Sequence, residues 1–305
     1  MGNSYCESMI MASRKIGSIF RAGLFRDKVA IVTGGGSGIG LAITQELLHL
    51  GCKVMIASRS EERLNNAVSE IKDILPSERK DAIQSTVCSI RKEDQVKNLM
   101  SETLSRFGQI DYLVNNGGGQ FVATADNISL KGWNAVVETN LTGTFLCCKE
   151  AYTQYMKDHG GSIVNIIIDN WNGSPLMLHS GAARAGVENM CKTLSIEWAA
   201  SGVRINSVAP GNSIYSDTAR ANYGKIDNIF KRYLPCIPMK RLGKPEEVSA
   251  AVCYLLSPAA AFVTGTTIKV DGAGSLNGAS HFPIPDHDKA PVYSWDSNDD
   301  GKSKL

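Results

Sequence analysis

Short apolar runs alternate with longer stretches of helical periodicity over most of this chain. Val29–Val32 is an uninterrupted apolar run, as expected of a strand that is buried on both faces. The apolar residues from Ile39 to Leu48 then follow helical spacing, so this segment predicts a strand, a turn and a helix. The same alternation continues and predicts seven strands, at residues 28–33, 53–57, 83–88, 110–115, 162–168, 203–208 and 266–270.

This alternation predicts an α/β fold, a single doubly wound Rossmann-type domain with a seven-stranded parallel sheet. Parallel strands need long crossovers, and the helical stretches between the predicted strands provide them. No linker rich in Pro, Gly or Ser divides residues 27–274, which we expect to be one domain. Residues 1–26 are expected to be a flexible leader, 212–241 a substrate lid and 275–305 a polar C-terminal tail.

Composition narrows the class of protein. A chain of 305 residues with 43% hydrophobic and 20% charged residues is typical of a globular domain. The net charge of +2 and the lack of a basic stripe argue against a nucleic-acid partner. No stretch approaches the ~20 apolar residues of a membrane span. The eight cysteines lack metal-ligand spacing, which predicts buried free thiols and no metal site.

Two segments of the chain resemble targeting signals. Ser303-Lys304-Leu305 matches the C-terminal tripeptide that the peroxisomal import receptor binds, so we expect that receptor as a partner and a peroxisomal location. Within residues 1–26, basic residues interleave with apolar ones, as in a mitochondrial transit segment. Glu7 and the shortness of the stretch favour a leader that is not a targeting signal.

The turn after the first predicted strand has the glycine spacing of a dinucleotide-binding loop. Gly34, Gly38 and Gly40 lie where a side chain would block the tight turn, the approach to a pyrophosphate, or helix–strand packing. Thr33 and Ile39 complete the expected cofactor-binding segment. The helix that follows would present its positive end to the phosphates. The alternative is a plain strand-to-helix turn.

The end of the second predicted strand indicates which dinucleotide is bound. In this fold that strand end meets the adenosine ribose, where an acidic residue accepts from the 2′-hydroxyl of NAD. Ser58, Arg59 and Ser60 are not acidic. We therefore predict NADPH, with Arg59 pairing with the 2′-phosphate and Ser58 as a second donor. The alternative for Arg59 is a solvated surface arginine.

Several motifs, taken together, point to one family. They are TGGGSGIG at 33–40, NNGGG at 115–119, NLTG at 140–143 and PG at 210–211. Over about residues 26–274 the chain resembles the short-chain dehydrogenase/reductase family. The resemblance implies that Asn115 and Asn116 stabilise the central strand at the cofactor. It also implies that Asn140 kinks its helix and organises a proton-relay water, and that the turn Pro210-Gly211 lies over the nicotinamide.

The chain departs from this family at the proton donor. Members that reduce carbonyls carry Tyr-x-x-x-Lys, whose tyrosine protonates the developing alkoxide. None of the nine tyrosines here has a lysine four residues later, and Ser180 and Arg184 occupy the two positions. In a later register the pair is Glu188 and Lys192, which predicts an i,i+4 ion pair. The usual upstream serine is replaced by Ile167 or Ile168.

A site without an acidic phenol favours reduction of a C=C bond conjugated to a thioester. Hydride addition to the β-carbon then places negative charge on the thioester oxygen, which requires hydrogen-bond donors. Asn140, Ser180 and Arg184 are therefore the predicted catalytic residues: Ser180 donates, and Arg184 holds the nicotinamide ribose and lends positive charge. His179 is a further possible donor, although a packed histidine is the simpler interpretation.

The segments NNGGGQF, WNAVVETNLTGTF and HSGAARAGV resemble the branch of the family that reduces enoyl-CoA and dienoyl-CoA esters. This resemblance implies reduction of a fatty trans-2-enoyl-CoA by NADPH in peroxisomal fatty-acid metabolism, by a homo-oligomer such as a tetramer. Basic residues of the lid could contact the CoA phosphates. Two alternatives stay open: a 2,4-dienoyl-CoA reductase, and a non-catalytic NADP-binding or assembly protein.

Overall fold

The predicted seven-stranded parallel sheet is confirmed. The structure, a computed structural model, describes residues 17–216, 234–277 and 284–293. All pairings between neighbouring strands are parallel, in the order β3-β2-β1-β4-β5-β6-β7. The strands are β1 Val29–Thr33, β2 Lys53–Ser58, β3 Ile83–Val87, β4 Tyr112–Asn115, β5 Gly161–Ile166, β6 Val203–Pro210 and β7 Thr267–Val270.

Helices cover both faces of the sheet. In the described residues they are α1 Gly38–His49, α2 Glu61–Ile74, α3 Glu93–Phe107, α4 Leu130–Val137, α5 Gly143–Ala151, α6 Lys157–His159, α7 Leu178–Glu197, α8 Pro245–Leu256 and α9 Gly274–Asn277. Two π-helical segments, Glu138–Thr142 and Tyr152–Met156, flank α5. No helix in this part of the chain is long and apolar enough to span a bilayer.

Strand β1 is apolar from Val29 to Val32 because both faces of the sheet are covered there. Ala30 and Val32 of β1 point into a core with α1 and α8, whereas Ile31 between them points into a second core with α3 and α5. All three are fully buried. Cys236 is exposed, and the other cysteines that the structure describes are buried free thiols.

Four strands end at residues other than those predicted: β2 and β3 differ by one residue, and β5 and β6 by two. β5 stops at Ile166, two residues early, although Ile167 still donates its N–H to Val208 O at 2.9 Å. β6 continues to Pro210, two residues beyond the predicted end, where it pairs with Val270 of β7. Both changes lie at the carboxyl edge of the sheet, where ligands bind in doubly wound folds.

The described parts of the expected leader and of the expected tail contact the domain. Phe25 is fully buried and packs edge-on against Tyr112, with ring centroids 5.3 Å apart. In the tail, Pro291 O accepts from the guanidinium of Arg241 at 2.6 and 2.9 Å. Residues 217–233 of the expected lid, the tripeptide 303–305 and residues 1–16 lie outside the described residues.

Candidate active site

The glycine loop joins β1 to α1 at the carboxyl edge of the sheet. Gly34 has φ +66°, a conformation that residues with a side chain rarely adopt, and it donates its N–H to Ala57 O at 2.7 Å. A Cβ at Gly40 would overlap the carbonyl oxygen of Gly34. Gly38 begins α1, and Ile39 packs against the core behind it. The loop therefore leaves the N-terminus of α1 open to an anion such as a pyrophosphate.

Hydrogen bonds attach this loop to the end of β4. Thr33 Oγ1 accepts from the N–H groups of Asn116 at 3.1 Å and Gly117 at 2.9 Å. The Asn116 amide donates back to the carbonyl oxygens of Thr33 at 3.1 Å and Gly34 at 3.2 Å. The strand order reverses between β1 and β4, which is where doubly wound sheets bind ligands. Thr33 and Asn116 thus shape the expected cofactor cleft.

The two residues expected to select the cofactor lie at the carboxyl end of β2. Ser58 ends the strand, and its hydroxyl donates to Ser60 O at 3.1 Å. Arg59 comes next and is exposed. Because Ala57, which precedes them, accepts the N–H of Gly34, both residues lie beside the glycine loop. Ser60 then caps α2 by accepting from the N–H of Arg63 at 3.2 Å.

Asn140 lies in the π-helical segment between α4 and α5 and is buried. Its Nδ2 donates to Gly119 O at 2.8 Å, and its Oδ1 accepts from the Gly119 N–H at 3.0 Å. This reciprocal pair attaches the helix to the loop that follows β4. Such π-helical turns frequently occur at functional sites, because they redirect a side chain that a regular helix would place elsewhere.

Ser180 and Arg184 lie one helical turn apart near the start of α7 and share one acceptor. Ser180 is fully buried and donates from Oγ to Gln120 Oε1 at 2.6 Å. Arg184 Nη1 donates to the same oxygen at 3.1 Å and also to Ser180 Oγ. Farther along α7, the expected Glu188–Lys192 ion pair is present at 3.1 Å.

The predicted catalytic residues lie around the loop that contains Gly118. A Cβ at this position would lie 2.8 Å from Asn140 Oδ1 and 2.9 Å from Arg184 Nη2. Gln120, two residues later, contacts Ser180 and Arg184. Asn140, Ser180 and Arg184 therefore all face residues 117–120, although they lie on different elements.

His179 packs beside this group. It is fully buried, and its ring meets Phe121 edge-on, with centroids 4.3 Å apart. Burial lowers the pKa of the imidazole, so the ring is neutral at neutral pH. The structure thus shows a packed histidine, which was the simpler interpretation.

The turn expected over the nicotinamide lies beside the loop that follows β5. Pro210 ends β6, and Gly211 donates its N–H to Val270 O at 2.9 Å. Pro210 O accepts from the N–H of Asp169 at 3.3 Å. Ile167 on the same loop is buried, so an apolar side chain takes the place of the usual serine.

Sequence analysis missed two polar residues of this region, Gln120 and Asp169. Each follows the end of a central strand, and that position was the one available signal. Their contacts depend on the course of two loops, which apolar periodicity does not describe.

Comparison with known proteins places this geometry in a family. A family model described as enoyl-(acyl carrier protein) reductase matches residues 34–274. The chain is 36% identical over 263 residues to the peroxisomal 2,4-dienoyl-CoA reductase of Danio rerio, the (3E)-enoyl-CoA-producing enzyme, with 86% of each protein covered.

Solved structures agree. A citronellol catabolism dehydrogenase of Pseudomonas aeruginosa PAO1 has a TM-score of 0.74 and 43% identity, covering 85% of this chain and 99% of that one. An actinorhodin polyketide ketoreductase solved with NADPH has a TM-score of 0.75 and 30% identity, covering 84% of this chain and 99% of that one.

The fold and the site define an oxidoreductase that uses a nicotinamide cofactor. The chain belongs to the short-chain dehydrogenase/reductase family.

Proposed function

We propose that this protein uses NADPH to reduce the C2–C3 double bond of a fatty trans-2-enoyl-CoA to the saturated acyl-CoA. The observation that supports this most is the group formed by Ser180, Arg184 and Gln120. Carbonyl-reducing members of the family carry tyrosine and lysine at the positions of Ser180 and Arg184. Serine is too weak an acid, and arginine too firmly protonated, to deliver a proton to an alkoxide. Both can donate hydrogen bonds to an enolate oxygen.

The donors already converge on one oxygen atom. Ser180 Oγ and Arg184 Nη1 lie 2.6 and 3.1 Å from Gln120 Oε1. A thioester oxygen in place of this acceptor would receive both hydrogen bonds, next to the charge of the guanidinium. Preorganised donors of this kind stabilise charge that develops in a transition state. This arrangement supports hydride addition to a conjugated thioester.

The glycine loop fits a dinucleotide. The conformation of Gly34 and the close approach at Gly40 leave a cradle that side chains would fill. With Asn116 and the Pro210-Gly211 turn, these residues would hold the cofactor, whose nicotinamide supplies a hydride when bound. The exposed Arg59, and the lack of an acidic residue at 58–60, support NADPH over NADH.

An apolar rim around the site suits an acyl chain. Large apolar side chains on the loops after β4 and β5, on the first residue of α7 and on α9 are between 36% and 76% exposed. They are Phe121, Val122, Trp171, Leu176, Leu178 and Leu276. Ala123 N donates to Leu176 O at 2.9 Å, so two of these loops are in contact. Exposed apolar surface gathered in this way is typical of a site for an apolar ligand.

The basic residues expected to meet CoA phosphates are partly engaged elsewhere. Arg241 donates to both carboxylate oxygens of Glu247, at 2.6 and 2.9 Å. Lys240 lies 3.6 Å from Asp286 of the tail. The other lid cations, Arg220, Lys225, Lys231 and Arg232, lie outside the described residues.

Turnover with defined substrates tests the proposal. Purified protein should oxidise NADPH in the presence of a trans-2-enoyl-CoA, followed by absorbance, and mass spectrometry should identify the saturated acyl-CoA. Absence of NADPH oxidation with short, medium and long acyl chains would contradict it. So would reduction of a 3-oxoacyl-CoA by protein that leaves the enoyl-CoA untouched.

A 2,4-dienoyl-CoA is the second candidate substrate, favoured by the Danio rerio relative. Product analysis with a 2,4-dienoyl-CoA and NADPH distinguishes the two by the position of the remaining double bond. A (3E)-enoyl-CoA-producing reductase leaves it at C3–C4, whereas reduction of C2–C3 alone leaves it at C4–C5. For a non-catalytic NADP-binding protein, NADPH would raise the melting temperature and neither substrate would be converted.

We also propose that the protein acts in the peroxisome. The residues 303–305 and the name of the Danio rerio relative support this location. A fluorescent protein fused to the N-terminus should colocalise with a peroxisomal marker, and removal of Ser303-Lys304-Leu305 should abolish this. A location independent of the tripeptide would contradict the proposal.

A further inference from the structure

The loop after β5 holds Asp169 between two parts of the proposed site. The Asp169 N–H donates to Pro210 O at 3.3 Å, at the turn expected over the nicotinamide. The next residue, Asn170, donates from Nδ2 to Gly181 O at 3.0 Å, one residue after Ser180. The loop at Asp169 and Asn170 is thus anchored to both features that would flank the reacting carbons.

The surroundings of Asp169 favour its protonated form. Burial raises the pKa of the carboxyl most, and the charge of Asp271 raises it further, while Lys269 and the N–H of Trp171 act in the opposite direction. Lys269 also has other partners: its Nζ lies 4.1 Å from the centre of the Trp171 ring and 3.2 Å from Ser275 Oγ. Asp271 accepts two backbone N–H groups, each at 3.0 Å.

We propose that Asp169 donates the proton that the α-carbon of the substrate receives, an inference that rests on the proposed function. Once the β-carbon has gained a hydride, the electron pair of the former double bond is shared between the α-carbon and the thioester oxygen. The O–H bond of Asp169 breaks as a C–H bond forms at the α-carbon, and the thioester carbonyl is restored. The Asp169 carboxylate then takes a proton from water.

Asp169 suits this step better than the other polar groups of the site. The Ser180 hydroxyl is a weak acid, and the Arg184 guanidinium keeps its proton. His179 is neutral and buried against Phe121. Asp169 is only half-buried, so water can restore its proton after each turnover.

Substitutions of Asp169 test this role. In Asp169→Asn, kcat with NADPH and a trans-2-enoyl-CoA should fall about 100-fold, the usual contribution of a general acid. Asp169→Glu, which keeps an acidic group, should recover part of that loss. The matched control is Asp158→Asn, an exposed carboxyl before the amino end of β5, and it should keep the wild-type kcat.

The pH profile adds a second criterion. The wild-type kcat should fall as pH rises through the titration of Asp169, because the acid form is the donor. Asp169→Asn should lack this alkaline limb, and Asp169→Glu should shift it. Lys269 and Asp271 are the charged groups that act on this carboxyl, and both variants leave them unchanged.

A third measurement requires no cofactor. The same carboxylate should remove an α-proton from a saturated acyl-CoA, so wild-type protein in D2O should exchange α-hydrogen for deuterium, detected by mass spectrometry. Asp169→Asn should not catalyse this exchange, whereas its NADPH affinity should equal that of the wild type.

The outcomes separate the two proposals. Unchanged kcat and unchanged exchange in Asp169→Asn overturn the role of Asp169 and leave the proposed function intact. Wild-type protein that binds NADPH but reduces no enoyl-CoA overturns both. If Asp169→Asn does not fold, Asp169→Glu decides: a shifted alkaline limb supports the role, and an unshifted limb overturns it.

Discussion

Gln120 Oε1 is the acceptor around which the proposed site is arranged. It receives hydrogen bonds from Ser180 at 2.6 Å and from Arg184 at 3.1 Å, and these fix the orientation of both donors. The donors are therefore in place before a substrate oxygen arrives. Such preorganisation is effective because no reorganisation of dipoles is needed during the reaction.

Ser180→Ala should lower kcat for enoyl-CoA reduction about 100-fold, the cost of losing one donor to a developing oxyanion, with little change in KM. Steady-state kinetics with NADPH in excess measures this. Ser105→Ala, an exposed serine on α3, is the control and should retain full activity. An equal kcat in Ser180→Ala and wild type would remove this hydroxyl from the mechanism.

Arg59→Glu should weaken NADPH binding far more than NADH binding, because a carboxylate would repel the 2′-phosphate that only NADPH carries. The loss should be at least about 10-fold, as for a charge-assisted hydrogen bond to phosphate. Fluorescence titration with both cofactors measures the ratio. The exposed Arg21→Glu variant should bind both as the wild type does, and equal losses in Arg59→Glu would refute the assignment.

At the scale of elements, apolar periodicity predicted the strands and their parallel arrangement, but not the irregular segments. The π-helical turn at Asn140 was not predictable from spacing, because one extra residue in a turn leaves the apolar pattern almost unchanged. Asn140 still gave a signal, since asparagine inside a helix has poor propensity. Gln120 gave only its position after a strand end, because the partners that define its role lie 60 and 64 positions away along the chain.

Gly40→Ala should disturb the junction between β1 and α1, because the added methyl group would overlap the carbonyl oxygen of Gly34. We expect the free energy of unfolding to fall by about 1–3 kcal/mol, the usual cost of overpacking, and NADPH affinity to fall with it. Urea denaturation and cofactor titration measure the two effects. At Gly274, nothing lies within 4 Å of an added Cβ, so Gly274→Ala is the control. Wild-type stability in Gly40→Ala would show that the loop can relax.

At the scale of the whole molecule, Glu46 of α1 connects three distant parts of the chain. Its fully buried carboxyl accepts from Ser18 Oγ at 2.6 Å, from Ser249 Oγ of α8 and from the Tyr293 hydroxyl at 3.2 Å. These residues belong to the expected leader, the domain and the expected tail. The carboxyl group therefore stabilises the docking of both flanking segments on the domain.

The stability of the fold should depend on the protonation of Glu46. Burial raises the pKa of this carboxyl, so the folded state binds its proton more tightly than the unfolded state does. The resulting stabilisation is complete at low pH and is lost as pH rises through the folded-state pKa. Wild-type protein should therefore lose stability relative to Glu46→Gln as pH rises from the ordinary carboxyl pKa through the raised pKa of Glu46.

Urea denaturation of both proteins across that range measures the difference. The exposed Glu62→Gln variant is the control and should follow the wild type. A constant difference between wild type and Glu46→Gln would mean that the carboxyl titrates alike in the folded and unfolded states.

The complete burial of Ser180 also limits the substitutions that this position can accept during evolution. A phenol at that position would have to displace Gln120 and Arg184, and the partner at 184 would still lack a proton to share. A single replacement by tyrosine would thus disturb the proposed enoyl-CoA chemistry without providing the acid that alcohol formation needs. Intermediates with neither activity would separate the two enzyme types, so stepwise substitution should preserve the proposed specificity.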